Sequence, residues 1–136
     1  MVLKQLTVFV ENKAGYIAEI TELLAENSVD LKALSIADTK DFGILRLIVN
    51  DPEYALAVLN KKGVLGKITE VLGIELENRT GALDKALSVL AKNGVNVEYL
   101  YAFLAGTPDF AHVVIKATDN SLAEKILKDA GFKSID

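Results

Sequence analysis

Two short stretches have residue types and spacing suited to holding a small ligand. Glu11-Asn12-Lys13-Ala14-Gly15 recurs sixty-six positions later as Glu77-Asn78-Arg79-Thr80-Gly81. Each follows an alternating apolar run and opens a run of helical periodicity. A strand that turns directly into a helix leaves the helix's first N–H groups unpaired, at the positive end of its dipole, where a carboxylate or other anion is favoured. Gly15 and Gly81 carry no Cβ, so a ligand can approach the backbone. Asn12 and Asn78 each offer a donor and an acceptor, which suits a group bearing both ammonium and carboxylate. The plain alternative is that each Asn caps its helix while the Gly packs it against a sheet, and the residues alone leave both readings open.

Other chemistries find less support. With no cysteine and one histidine, thiolate metal sites, disulfides, cysteine nucleophiles and multi-histidine sites are excluded within the chain. A Ser-His-Asp arrangement would need His112, which falls mid-strand with Val114 and Lys116 on what reads as a solvated face. Glu75 and Glu77 alternate along a strand as solvated carboxylates do. Neither GxxxxGK[ST] nor GxGxxG occurs, so no nucleotide-phosphate cradle is indicated and no cofactor is expected. The charge is −4, from 15 basic and 19 acidic residues, with no long basic block, which argues against nucleic acid as a partner. The N-terminus alternates like a strand rather than a signal peptide, and no apolar run approaches the ~20 residues of a membrane span. A cytoplasmic protein without membrane partners is expected.

The elements that must position the two loops are themselves repeated. Residues 11–31 and 77–97 share seven identities in twenty-one positions: Glu11/Glu77, Asn12/Asn78, Gly15/Gly81, Leu24/Leu90, Ala25/Ala91, Asn27/Asn93 and Val29/Val95. After a two-residue insertion in a hairpin loop, residues 42–63 match 110–131 through Phe42/Phe110, Asp51/Asp119, Ala55/Ala123, Leu59/Leu127 and Gly63/Gly131. The chain is a tandem duplication.

Each copy reads strand, helix, strand, strand, helix, strand. Leu6, Val8 and Val10 alternate with Gln5, Thr7 and Phe9, the pattern of a half-buried strand. Ile17, Ile20 and Leu24 recur at helical spacing, widened by Leu23. Asp51-Pro52 and Asp119 suit helix starts, and Gly63 and Gly131 suit helix ends. Two βαββαβ units make an α+β, ferredoxin-like arrangement of antiparallel sheets with helices on one face. The expected division is 1–70 and 71–136. The stretch 67–78 would supply both the last strand of one unit and the first of the next, with Gly73 as its bend. Tyr99, Tyr101 and Phe103 alternate on one strand face, with two of the three expected in the core.

With "ENKAGYI" and "ENRTGAL" each followed by a helix and then "NSVDL" or "NGVNV", the chain resembles the ACT domain, the amino-acid-binding regulatory module, over essentially its whole length as two tandem copies. The resemblance implies a non-catalytic sensor whose ligand lies between the first strand–helix loop of one unit and the second strand of the other. Carried over by position, its loop residues are Asn12, Lys13, Ala14, Gly15, Tyr16 and Ile17 in copy one. Copy two supplies Asn78, Arg79, Thr80, Gly81, Ala82 and Leu83. The strand residues are Leu34, Ser35 and Ile36, with Leu100, Tyr101 and Ala102. The family's frequent Asp is Asn in both copies, and its Pro before the Gly is Ala14 and Thr80. Tyr16 against Ala82 makes the two sites unequal, with more room at Ala82. The implied partners are an amino acid and a metabolic enzyme regulated in trans, and unpaired edge strands leave room for a homodimer. Two alternatives stand beside the sensor: a small enzyme using His112 and Lys116 on the open sheet face, and an interaction module whose loops are only joints.

Overall fold

The structure, a computed structural model, describes residues 1–38 and 41–135. The expected site of the two-residue insertion includes residues 39 and 40, which lie outside the described residues. Along the chain the elements are β1 (Val2–Glu11), α1 (Tyr16–Glu26), β2 (Leu31–Asp38), β3 (Phe42–Val49), α2 (Pro52–Lys61), β4 (Gly66–Glu77), α3 (Ala82–Lys92), β5 (Val97–Leu104), β6 (Phe110–Ala117), α4 (Asn120–Asp129) and β7 (Lys133–Ser134). They form two compact units. The N-terminal unit is Lys4–Thr69; the C-terminal unit is Glu70–Asp136 together with Met1–Leu3.

In the N-terminal unit, β3 pairs antiparallel with both β1 and β2, with Leu6 opposite Leu47 and Leu47 opposite Leu34. Leu6, Val8, Val10, Leu45 and Leu47 face the helices and close a core with Ile20, Leu24, Ala55 and Leu59. The period-2 and period-3.6 patterns meet there, because each element can bury its apolar side only against the other. Ile17, expected on the buried stripe, is 41% exposed, since it belongs to the helix's first turn beside the loop. Gln5 and Thr7 depart from the sequence reading in the other direction: both polar positions of the alternating strand are buried. They bond to one another. Gln5 Nε2 donates to Thr7 Oγ1 at 3.0 Å, and Thr7 Oγ1 lies 2.8 Å from Thr69 Oγ1.

The C-terminal unit repeats this plan. β6 pairs antiparallel with β4 and β5, and Leu72, Ile74, Val113 and Ile115 pack on Ala86, Leu90, Ala123 and Leu127. Helix α4 starts as expected, with Asp119 accepting from Leu122 N at 3.0 Å, as Asp51 does from Tyr54 N at 3.1 Å in α2. The final strand β7 is only two residues long, against Ile74 and Glu75 of β4. Beyond it, Met1 O accepts from Gly73 N at 2.8 Å, and Ile135 N donates to Gly73 O at 3.2 Å. The N-terminal residues thus occupy the side of β4 that β7 is too short to cover. Strand β4 runs unbroken through Gly73, which is no bend. A Cβ there would stand 2.4 Å from Leu3 Cδ1, so the glycine makes room for Leu3.

The aromatic strand also differs from expectation. Tyr101 is buried, but Tyr99 and Phe103 are half-buried, and none of the three joins the core under the helices. They stand opposite Lys116, Val114 and His112, on the sheet face away from the helices.

Candidate functional site

The two strand–helix loops share one backbone design. Lys13 N donates to Glu11 O (3.0 Å) and Tyr16 N to Lys13 O (3.3 Å). In copy two, Arg79 N donates to Glu77 O (2.9 Å) and Ala82 N to Arg79 O (3.3 Å). Gly15 at φ +83° and Gly81 at φ +87° occupy the N-cap position in the left-handed region, which only glycine enters without steric cost. No side chain caps either helix. The capping role that Asn12 and Asn78 could have played is therefore absent. Asn78 instead fastens the loop to the β5–β6 turn: its Nδ2 donates to Pro108 O at 2.9 Å and its N to Asp109 O at 2.8 Å. Asn12 N reaches Asp41 O at 3.3 Å at the matching place.

Side chains distinguish the copies. Lys13 pairs with Glu11 at 3.5 Å and lies 5.3 Å from the centre of the Tyr16 ring, a cation–π arrangement. Arg79 pairs with Glu77, and Ala82 offers no ring. Residues 12–15 and 78–81 are exposed, as are Ile17 and Leu83; Tyr16 and Ala82 are half-buried.

The strand residues do not meet these loops within a unit. Leu34 and Ile36 lie level with Leu6 and Val8, two strands across and well short of Asn12. Leu100, Tyr101 and Ala102 lie level with Leu72, Gly73 and Ile74, well short of Asn78. Leu34, Ile36 and Ala102 are exposed, Ser35 and Leu100 half-buried.

His112 is not on a solvated face. Its Nε2 stands 3.3 Å from Glu75 Oε2, and its ring meets Phe103 edge-on at 5.1 Å. Lys116 Nζ donates to Ala117 O at 2.7 Å and stands 3.6 Å from Glu98. Both groups proposed for catalysis on this face are thus engaged in structural contacts.

Sequence reasoning missed one feature. A cavity of about 210 Å³ opens between the end of β4, the first turn of α3 and the α4–β7 connection, lined by Glu75, Leu76, Glu77, Arg79, Ala82, Lys85, Phe110, Gly131, Phe132 and Lys133. The available signal was the repeated helix-ending glycine, Gly63 and Gly131. In each copy the cavity lies beside it, next to the start of the other helix.

Residues 1–132 match the family described as an ACT domain pair. The chain belongs to the ACT domain pair family. As a whole it is similar to protein BT0572 from Bacteroides thetaiotaomicron, with 41% identity, a TM-score of 0.93, and coverage of 99% of this chain and 92% of that one. The same fold, at 16% identity and a TM-score of 0.65, occurs in the ligand-free regulatory subunit of aspartate kinase from Thermus thermophilus, covering 96% of this chain and 97% of that one. The corresponding subunit from Thermus flavus aligns at 15% identity and a TM-score of 0.64, over 96% and 95% of the two chains. No curated protein sequence matches the chain. Among the described residues no helix of this ACT pair is long and apolar enough to cross a membrane, and no group of three or more His, Cys, Asp or Glu is placed to hold a metal ion.

Proposed function

We propose that this ACT pair is a cytoplasmic, non-catalytic amino-acid sensor that acts on a metabolic enzyme in trans. The observation that carries the reading is the duplicated loop. In both copies a left-handed glycine stands where a capping side chain would otherwise sit, and the loop is exposed. The N–H groups of Tyr16 and Ala82 turn back to Lys13 O and Arg79 O. Those that follow, of Ile17 and Ala18 and of Leu83 and Asp84, are left for a ligand carboxylate, with the helix dipole favouring its charge. Asn12 and Asn78 lie beside them, with the side-chain amide of Asn78 already committed to Pro108 O. Residues 34–36 and 100–102 serve as the facing wall when an ACT unit's second strand meets another unit's loop. Backbone groups there bind the ligand, and Leu34, Ser35, Ile36, Leu100, Tyr101 and Ala102 shape its pocket. The loop with Ala82 is the better occupied of the two, because Tyr16 takes up space at the other. Among the described residues, strands β2 and β5 each pair on one side only, which leaves an edge for a second copy of the chain. That a protein of the same fold is an enzyme's regulatory subunit supports the regulatory reading.

A thermal-shift screen against the standard amino acids tests this. A ligand at a hundredfold excess over its Kd adds about 2.7 kcal/mol. For a chain of this size that is a rise of several degrees. Gly15→Ala and Gly81→Ala, whose added methyl meets no protein atom within 4 Å, should reduce the shift. Absence of a shift with every amino acid rejects the proposal.

A further inference from the structure

We propose that the C-terminal unit carries a second ligand site, adjoining the proposed loop site and sharing Arg79 and Ala82 with it: the cavity beside Ala82, which takes a small organic carboxylate with an apolar body. Its lining combines Leu76, Ala82, Phe110 and Phe132 with three cations and two carboxylates. Glu77 is held by Arg79, and Glu75 stands against His112. Lys85 and Lys133 have no side-chain partner among the described residues, and both are exposed at the rim. Two uncommitted ammonium groups above an apolar floor select an anion whose remainder is hydrophobic. The lysine stems can lie along that floor while their heads hold the charge. At about 210 Å³, and ~30 Å³ per water in the liquid, the space suits a molecule of roughly five to ten non-hydrogen atoms.

The other copy makes the assignment sharper. At the matching place, the N-terminal unit has a cavity of about 250 Å³ lined by Tyr16, Glu19, Ile20, Leu23, Lys62, Gly63 and Val64. Size does not separate the two cavities; charge and reach do. Glu19 stands where the C-terminal unit has Lys85, and with Tyr16 in place of Ala82 the cavity does not extend to the sheet end. Lys62 is the one cation lining that cavity and Glu19 offsets its charge, so the carboxylate should prefer the C-terminal cavity, where three cations face two carboxylates.

The experiment is a titration of the full chain with 3-methylbutanoate, its neutral amide and inorganic phosphate, followed through backbone amide resonances. The carboxylate should move Lys85, Gly131, Phe132 and Lys133 and leave Glu19 and Gly63 in place; the amide and phosphate should do so far more weakly. Lys85→Glu combined with Lys133→Glu, both on the surface, should weaken the carboxylate about tenfold or more. Ala82→Tyr, the side chain tolerated in the other copy, should block it. No movement at these amides overturns the site. Equal binding of the neutral amide overturns the role of the lysines, and equal binding of phosphate overturns the role of the apolar floor. An amino-acid shift that survives the double lysine variant, alongside lost carboxylate binding, supports this site as separate from the loop site. If the carboxylate binds equally well in that variant, the proposal fails whatever the amino acids do.

Discussion

Replacing Gly73 with Ala tests how the first residues of the chain are built into the C-terminal unit. The new Cβ would stand 2.4 Å from Leu3 Cδ1, 3.0 Å from Leu3 Cγ and 3.1 Å from Ile135 Cδ1. The first distance forces Leu3 to move, and the Ile135 contact can relax by a few tenths of an ångström. Overpacking of this kind costs about 1–3 kcal/mol. Against it stands the intrinsic gain of Ala over Gly in a strand interior, about 0.5–1 kcal/mol. Gly73→Ala should therefore destabilise the protein by up to about 2.5 kcal/mol. The decisive comparison is the same change made on Leu3→Ala, where the clash is gone. There the substitution should change sign and stabilise by about 0.5–1 kcal/mol. Urea unfolding of the four proteins closes the cycle, with a coupling of at least about 1 kcal/mol expected. If Gly73→Ala has the same effect in both backgrounds, Leu3 does not pack on Gly73, and the account of Met1–Leu3 as part of the C-terminal unit fails.

Two further predictions concern polar groups. Thr7→Val should destabilise by about 0.5–1.5 kcal/mol in chemical denaturation, because it removes the hydroxyl that accepts from Gln5 Nε2 and meets Thr69 Oγ1; no measurable change would mean that these buried bonds contribute nothing to stability. The Glu53 carboxyl is held below the ordinary carboxylate range, first by its hydrogen bond to Lys4. With its folded value depressed, any contribution of this pair to stability is present above the ordinary carboxylate pKa and lost as pH falls through the folded one. In Lys4→Ala, NMR titration should find the Glu53 midpoint raised, and an unchanged midpoint would remove Lys4 as the cause.

A helix cap can be read from sequence only as a possibility, and the loops show why. Asp51 and Asp119 have the same type of side chain as many caps and do cap their helices, because each stands one residue before the first helical turn. Asn12 and Asn78 look equally suited, yet they stand three residues before Gly15 and Gly81. The left-handed turn at each glycine takes over the cap position. Periodicity describes which residues share a face of one element. It does not describe which other element arrives to cover that face, which is why Gln5, Thr7 and His112 read as solvent-facing in the sequence.

The sequence by itself determined the duplication and the order of strands and helices. These follow from local periodicity and from identities between the copies. Tertiary structure alone decided that Met1–Leu3 completes the C-terminal unit, that Gly73 is a space rather than a bend, and that Lys85 and Lys133 share a cavity with Phe110. Residues 85, 110 and 133 are far apart in sequence and belong to different elements. They meet because two helices pack on one antiparallel sheet, and the end of that sheet is where the helix starts and strand ends converge.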